Sequence, residues 1–297
     1  MARFGAVLTA MVTPFDNEGA LDETEAAALA RWLVDQGNQG LVVAGTTGES
    51  PTLSHEEQGR LFEVVRQAVS VPVLAGVGSN NTQESLDLVE RAVRAGVDGL
   101  LLVTPYYNRP SQAGLLRHFR TVAQASALPV MLYDIPVRTG RKIDTATLLE
   151  LARTVDNIVA LKDAAGDPAE TASFIAQAPA GFEVYSGDDS LTLPLLAVGA
   201  VGVVGVATHW CAPDMVEMVE SFEKGDVERA RALNTRMLAS FDFETGLIAP
   251  NPVPTKALLR AIGRPVGECR MPMGPTPEGW EEKALEIMAH LQAARSA

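Results

Sequence analysis

Cysteine is scarce in this chain. Cys211 and Cys269 are the only two in 297 residues. Two thiols make no disulfide framework and suit a reducing compartment, so the cytoplasm is the expected location. Cations are also in short supply: 24 Lys and Arg against 37 Asp and Glu leave a formal net charge of −13. That argues against nucleic acid and anionic membrane surfaces as partners, since each requires a cationic patch. Small anionic substrates stay open, because a few local cations reverse the potential inside a pocket. No apolar run approaches the length of a bilayer span. The start, Met1 to Gly5, leads straight into a short strand without a long apolar region, so no signal peptide is expected. The four histidines, His55, His118, His209 and His290, show no ligand spacing, and no metal is expected.

What is present is a regular alternation. Short apolar runs over residues 6–12, 40–44, 72–75, 99–103, 129–133, 158–162, 182–185 and 201–206 read as strands. Helical patterns follow them over 21–36, 54–69, 82–95, 111–125, 144–152, 168–177 and 190–196, with another over 213–223. Ser54 and Glu57 form a capping box, and Gly96 is a stop signal. Eight strands, each followed by a helix, predict a parallel sheet closed into a (β/α)8 TIM barrel. A doubly wound open sheet is the alternative, weakened by the lack of a Gly-x-Gly-x-x-Gly after the first strand. Helical patterns over 227–241, 255–262 and 278–293 then predict a C-terminal helical extension. The expected division is a catalytic barrel over 1–224 and an extension over 225–297.

In such a barrel the site forms at the C-terminal ends of the strands. The strand over 158–162 is nearly continuous hydrophobe and ends in Lys162. Desolvation there lowers a lysine's pKa and makes the amine a nucleophile towards carbonyl carbon. The plainer alternative is a lysine snorkelling out to pair with Asp163. The second strand leads into Gly45-Thr46-Thr47-Gly48-Glu49-Ser50, either a hydroxyl-rich anion loop or a turn that starts the next helix. Tyr106 and Tyr107 follow the fourth strand, for a pocket, for a subunit contact, or one for each. Tyr133 ends the fifth strand, and Arg138 five residues on can grip a carboxylate or form a surface ion pair. Asp188 and Asp189 read best as a helix cap. Together these groups suit a Schiff-base enzyme acting on a 2-oxo acid. Lys162 attacks the ketone, the iminium draws off a methyl proton through Tyr133, and the resulting enamine attacks an aldehyde.

The Gly45-Thr46-Thr47-Gly48-Glu49-Ser50 loop, the segment 133–140 and Lys162 resemble the dihydrodipicolinate synthase/N-acetylneuraminate lyase family of class I aldolases. Segments 104–112 and 133–140 look most like its branch that condenses pyruvate with L-aspartate 4-semialdehyde, the committed step to diaminopimelate and lysine. The resemblance implies Lys162 as the Schiff-base lysine and Tyr133 as proton donor and acceptor. Thr46 and Tyr107 would complete the relay, Tyr107 from a neighbouring subunit. Thr47 would bind the pyruvate carboxylate, the backbone of Val204 would touch pyruvate, and Arg138 would hold the aldehyde's carboxylate. Gly187 would line the pocket. No cofactor is implied beyond the covalent adduct, and the expected assembly is a homotetramer of two tight dimers. A lysine effector site would use Ser50, His55, Asn80, Glu84 and Tyr106. Pro51 and Gln58 depart from that site's usual pattern and imply weak feedback. The alternative enzyme is a lyase for a sugar acid such as N-acetylneuraminate or 2-keto-3-deoxygluconate, against which Arg138 and the Tyr106-Tyr107 run weigh. A catalytically dead relative would have lost Lys162 or Tyr133, and both are present.

Overall fold

A computed structural model describes residues 2–296; Met1 and Ala297, the outer bounds of the two expected segments, lie outside the described residues. Eight strands form one closed barrel in chain order: β1 (Val7–Ala10), β2 (Gly40–Val43), β3 (Val73–Gly76), β4 (Gly99–Val103), β5 (Val130–Asp134), β6 (Ile158–Asp163), β7 (Glu183–Ser186) and β8 (Gly202–Gly205). All neighbours are parallel, and β8 returns to β1 with Leu8 opposite Val204. The helices are α1 (Glu23–Asp35), α2 (His55–Ala68), α3 (Thr82–Ala95), α4 (Gln112–Ala123), α5 (Pro136–Thr139), α6 (Thr145–Thr154), α7 (Pro168–Ile175), α8 (Thr192–Ala197) and α9 (Thr208–Glu223). Beyond the barrel lie α10 (Val227–Glu244), α11 (Val253–Ala261) and α12 (Trp280–Ser296).

The strands are hydrophobic almost throughout because both their faces are covered. Inward positions alternate with outward ones. Leu8, Val42, Leu74, Leu101, Met131, Ala160 and Val204 fill the barrel, while Leu41, Val73, Leu100, Leu132 and Leu161 pack on the helices. One irregularity falls between β5 and β6. Val130 is level with Ile158 but Met131 is level with Ala160, which leaves Val159 as an extra residue. A further apolar cluster joins β8 to α9, α10, α11 and α12 through Val203, Trp210, Met215, Phe241, Leu258 and Leu291.

Local signals act as the residue types require. Ser54 and Glu57 complete the capping box, and Gly96 ends α3 in the left-handed region at φ +71. Two helical details differ from expectation. The single turn α5 is framed by Pro136 at its start and by Gly140 at φ +70. Helix α9 begins at Thr208, upstream of the start expected at Pro213. Thr208, His209, Trp210, Cys211 and Ala212 are all buried, and that burial outweighs the proline's missing donor. Among the described residues, no helix is long and apolar enough to cross a membrane.

Candidate active site

Alternation along β6 turns Ala160 and Lys162 into the barrel and Leu161 and Asp163 away from it. Lys162 is therefore not paired with Asp163. The Asp163 carboxylate accepts from Thr171 Oγ1 at 2.6 Å and from the Ala165 amide at 2.9 Å. Lys162 is level with Tyr133 on β5 and with Tyr185 on β7. Its Nζ lies 4.4 Å from the centre of the Tyr133 ring, and the residue is only 4 % exposed. Burial pulls its pKa down to about 8; Asp189 and Glu244 oppose that shift, and Arg138 adds to it. Gly187 gives the lysine its room. A β-carbon there would stand 3.0 Å from Lys162 Cγ and 3.1 Å from Cε.

Tyr133 is buried, which drives its phenol well above the usual range, while Arg138 and a side-chain hydrogen bond with Thr46 pull the other way. At neutral pH it is a neutral hydroxyl that can pass a proton only as it receives one. Thr46 lies in the loop after β2, which is a turn and a cavity wall at once. It lines the cavity, and it starts the 3-10 turn Ser50–Thr52 that precedes α2. Thr47 Oγ1 accepts from Asn251 Nδ2 at 2.9 Å. Glu49, at φ +57, is buried against Lys256 of α11 with Nζ and Oε1 2.8 Å apart. The same carboxylate accepts the Arg270 amide at 2.9 Å.

One cavity takes in Thr46, Thr47, Tyr133, Arg138, Lys162 and Gly187. Its walls also carry Asp188, Asp189, Val206, Glu244 and Asn251. Arg138 is exposed on α5 at the mouth, with Nη2 donating to the Asn251 carbonyl at 3.4 Å. Val204 is fully buried in the barrel interior, and Val206 is the β8-side residue on the cavity wall. Asp188 caps the 3-10 turn Asp189–Leu191 by accepting the Ser190 amide. Asp189 exceeds the expected capping role. It is 2 % exposed and accepts the Val206 amide at 2.7 Å. His209, fully buried with its pKa held down at about 4, hydrogen-bonds the Val206 carbonyl and accepts the Val12 amide, and so ties the ends of β1 and β8.

A second cavity shares Thr46, Tyr133 and Arg138 with the first and continues to Ser50, Pro51 and Tyr106. The other expected effector residues are His55 at the start of α2, Asn80 and Glu84. The Asn80 carbonyl accepts from Asn108 Nδ2 at 2.8 Å, and the Glu84 carboxylate accepts from Ser79 Oγ at 2.7 Å. Gln58 is buried and turns its amide back to the Ser50 carbonyl at 3.3 Å. Tyr107 lines neither cavity of its own chain; it is 91 % exposed at φ +72. Glu244 and Asn251 are the site residues that sequence reasoning missed. Glu244 left no signal, because the helical pattern in the sequence ends at residue 241 and only the structure extends α10 to it. Asn251 left none. Among the described residues, no group of three or more His, Cys, Asp or Glu is arranged to hold a metal ion.

The chain is similar to known proteins over nearly its whole length. The model of the dihydrodipicolinate synthetase family matches residues 3–294. The 4-hydroxy-tetrahydrodipicolinate synthase of Moorella thermoacetica is 51% identical, over 96% of this chain and 98% of its own. That of Symbiobacterium thermophilum is 52% identical, over 97% and 98%. Among solved structures, the dihydrodipicolinate synthase of Cyanidioschyzon merolae with lysine bound superposes with a TM-score of 0.95 at 41% identity, covering 98% of this chain and 99% of that one.

Proposed function

The chain belongs to the dihydrodipicolinate synthetase family, and from that premise we propose how its residues carry out the reaction. The activity is that of a 4-hydroxy-tetrahydrodipicolinate synthase. Its substrates are pyruvate and L-aspartate 4-semialdehyde. The observation that carries the reading is the buried Lys162 amine, its pKa pulled down to about 8 and its nitrogen set over the Tyr133 ring.

Lys162 Nζ adds to the pyruvate ketone, and loss of water leaves an iminium. The iminium draws electrons from the neighbouring methyl carbon, which gives up a proton to become an enamine. The enamine carbon bonds to the aldehyde carbon, whose oxygen takes up a proton. The amino group of the second substrate then closes on the iminium carbon and releases Lys162. Tyr133, a neutral phenol in hydrogen-bond contact with Thr46, moves the protons between these atoms. Thr47, fixed by Asn251, holds the pyruvate carboxylate. Arg138 at the mouth receives the carboxylate of the aldehyde. Tyr107, exposed and absent from its own cavity, reaches the cavity of a neighbouring copy, and the assembly is a homotetramer of two such dimers.

The experiment is a coupled assay with pyruvate, aspartate semialdehyde and a dihydrodipicolinate reductase, following NADPH. Wild-type turnover that vanishes in Lys162→Ala is expected. Full turnover in that variant would remove the Schiff base from the account.

Feedback by lysine is weak in this reading. Pro51 stiffens the wall beside Ser50, and Gln58 is turned inward where an effector would need a side chain facing it. Titration of the coupled assay with L-lysine should leave most activity at millimolar effector. Half-inhibition at micromolar lysine would contradict the assignment.

A further inference from the structure

Two carboxyls in the cavity, Asp189 and Glu244, take no part in the steps above, yet they are 2 % and 5 % exposed. They stand in the wall of the same cavity as Lys162, and burial drives both carboxyls up, with the charge of Asp189 adding to the rise at Glu244. Two carboxylates in one dry cavity repel and have no donor between them, so the pair holds a proton. Asp189 Oδ1 and Glu244 Oε2 are each buried without a hydrogen-bond partner among the described residues, two oxygens that a shared proton would satisfy. The surroundings decide where the proton rests. Asp189 opens a 3-10 turn and accepts the Val206 amide, both favourable to an anion. Glu244 closes α10, where the carbonyl ends disfavour an anion.

We propose that Asp189 and Glu244 are positioning residues for the Lys162 reaction: they share one proton, held on Glu244, and present a single negative charge to the lysine nitrogen. The inference rests on the Schiff-base reading. In a dry site the iminium carries one positive charge and needs one counter-charge. Two negative charges would keep the amine protonated and unreactive, and none would leave the iminium uncompensated. The Tyr133 ring of β5 lies beside the nitrogen, the charges that act on it are those of Arg138 from α5, Asp189 after β7 and Glu244 from α10, and Asp188 acts on Glu244. Gly205 keeps the arrangement open, since a β-carbon there would collide with Asp189 Oδ1.

The test follows the rate at which pyruvate becomes attached to Lys162 as pH is varied. Aliquots are quenched in borohydride and read by intact mass. Asp189→Asn is expected to move the lysine limb of that profile down by about one pH unit and to lower the adduct at equilibrium about tenfold. Glu244→Gln, which keeps a donor to Asp189 and the single charge, is expected to hold the limb at its wild-type pH. An unmoved limb in Asp189→Asn, or an equal displacement in both variants, overturns the inference while adduct formation in the wild type upholds the Schiff base. Failure of the wild type to form an adduct removes both. Infrared difference spectra give a second measurement that does not need Asp189→Asn to fold. At neutral pH the wild type should show a protonated carboxyl band that Glu244→Gln lacks, and absence of that band in the wild type overturns the inference.

Discussion

Lys162 sits where an ammonium is penalised, and the penalty has a sign that can be followed in pH. Its pKa is about 8 in the folded chain against an ordinary 10.5. Between those values the unfolded chain binds more protons, so stability rises with pH across the interval. The burial cost is complete below pH 8 and gone above 10.5. Lys162→Met should therefore raise stability at pH 7 by as much as about 3 kcal/mol, reduced by whatever Asp189 loses, and the gain should shrink towards pH 10. Melting temperatures of the two proteins across that range check it; a gain that grows with pH would contradict the burial account. The lysine itself was legible, because a charged residue closing an apolar strand is a conspicuous breach of pattern. Its freedom from Asp163 follows from strand alternation alone. Glu244 was not legible as a site residue, since an acid on a surface-like helix looks solvated until the fold brings it inward.

At the level of elements, local chemistry was read well. The Ser54–Glu57 capping box, the Gly96 stop and the full span of α3 follow from short-range rules. The start of α9 did not, because burial of the segment 208–212 is a tertiary fact that overrode a proline. The tie between the loop after β2 and α11 was also beyond reach. It joins Glu49 to Lys256, more than two hundred residues apart in sequence, through a pair in which both side chains are almost wholly buried. Lys256→Ala would strand the Glu49 carboxylate and should cost about 3–5 kcal/mol. The same variant should raise KM for pyruvate more than it lowers kcat, because the loop carrying Thr46 and Thr47 loses its anchor. Denaturant unfolding and steady-state kinetics on the one variant read both effects; stability within experimental error of the wild type would show that the pair is not a brace.

The closed barrel was legible at the scale of the whole molecule because eight strand–helix repeats leave few other ways to cover both faces of a parallel sheet. The part played by α10 and the segment before α11 was not. Glu244 and Asn251 enter the cavity from beyond the barrel, so the helices after residue 224 complete the site. Tyr107 completes it from another copy in the proposed assembly, and that has a measurable form. In a two-fold dimer each copy lends its tyrosine to the other. Mixing inactive Lys162→Ala with impaired Tyr107→Phe, after dissociation and reassembly, should restore about a quarter of wild-type turnover, since half the dimers are mixed and each holds one intact site. A mixture no more active than the sum of its parts would place Tyr107 outside its neighbour's chemistry.

The extra residue on β6 sets the parity of the active centre. With Val159 in place, Lys162 is level with Tyr133. Were Val159 paired with Met131 instead of passed over, Leu161 would stand level with Tyr133, and Lys162 would move on to Asp134. A strand has only two faces, so an error of one step puts the proposed nucleophile on the wrong side rather than slightly out of place. A barrel threaded with that error would keep its helices and most of its core yet be unable to bond pyruvate. Catalysis in this molecule is thus also a proofreading signal, reporting strand registration that measures of helix content or compactness would pass over.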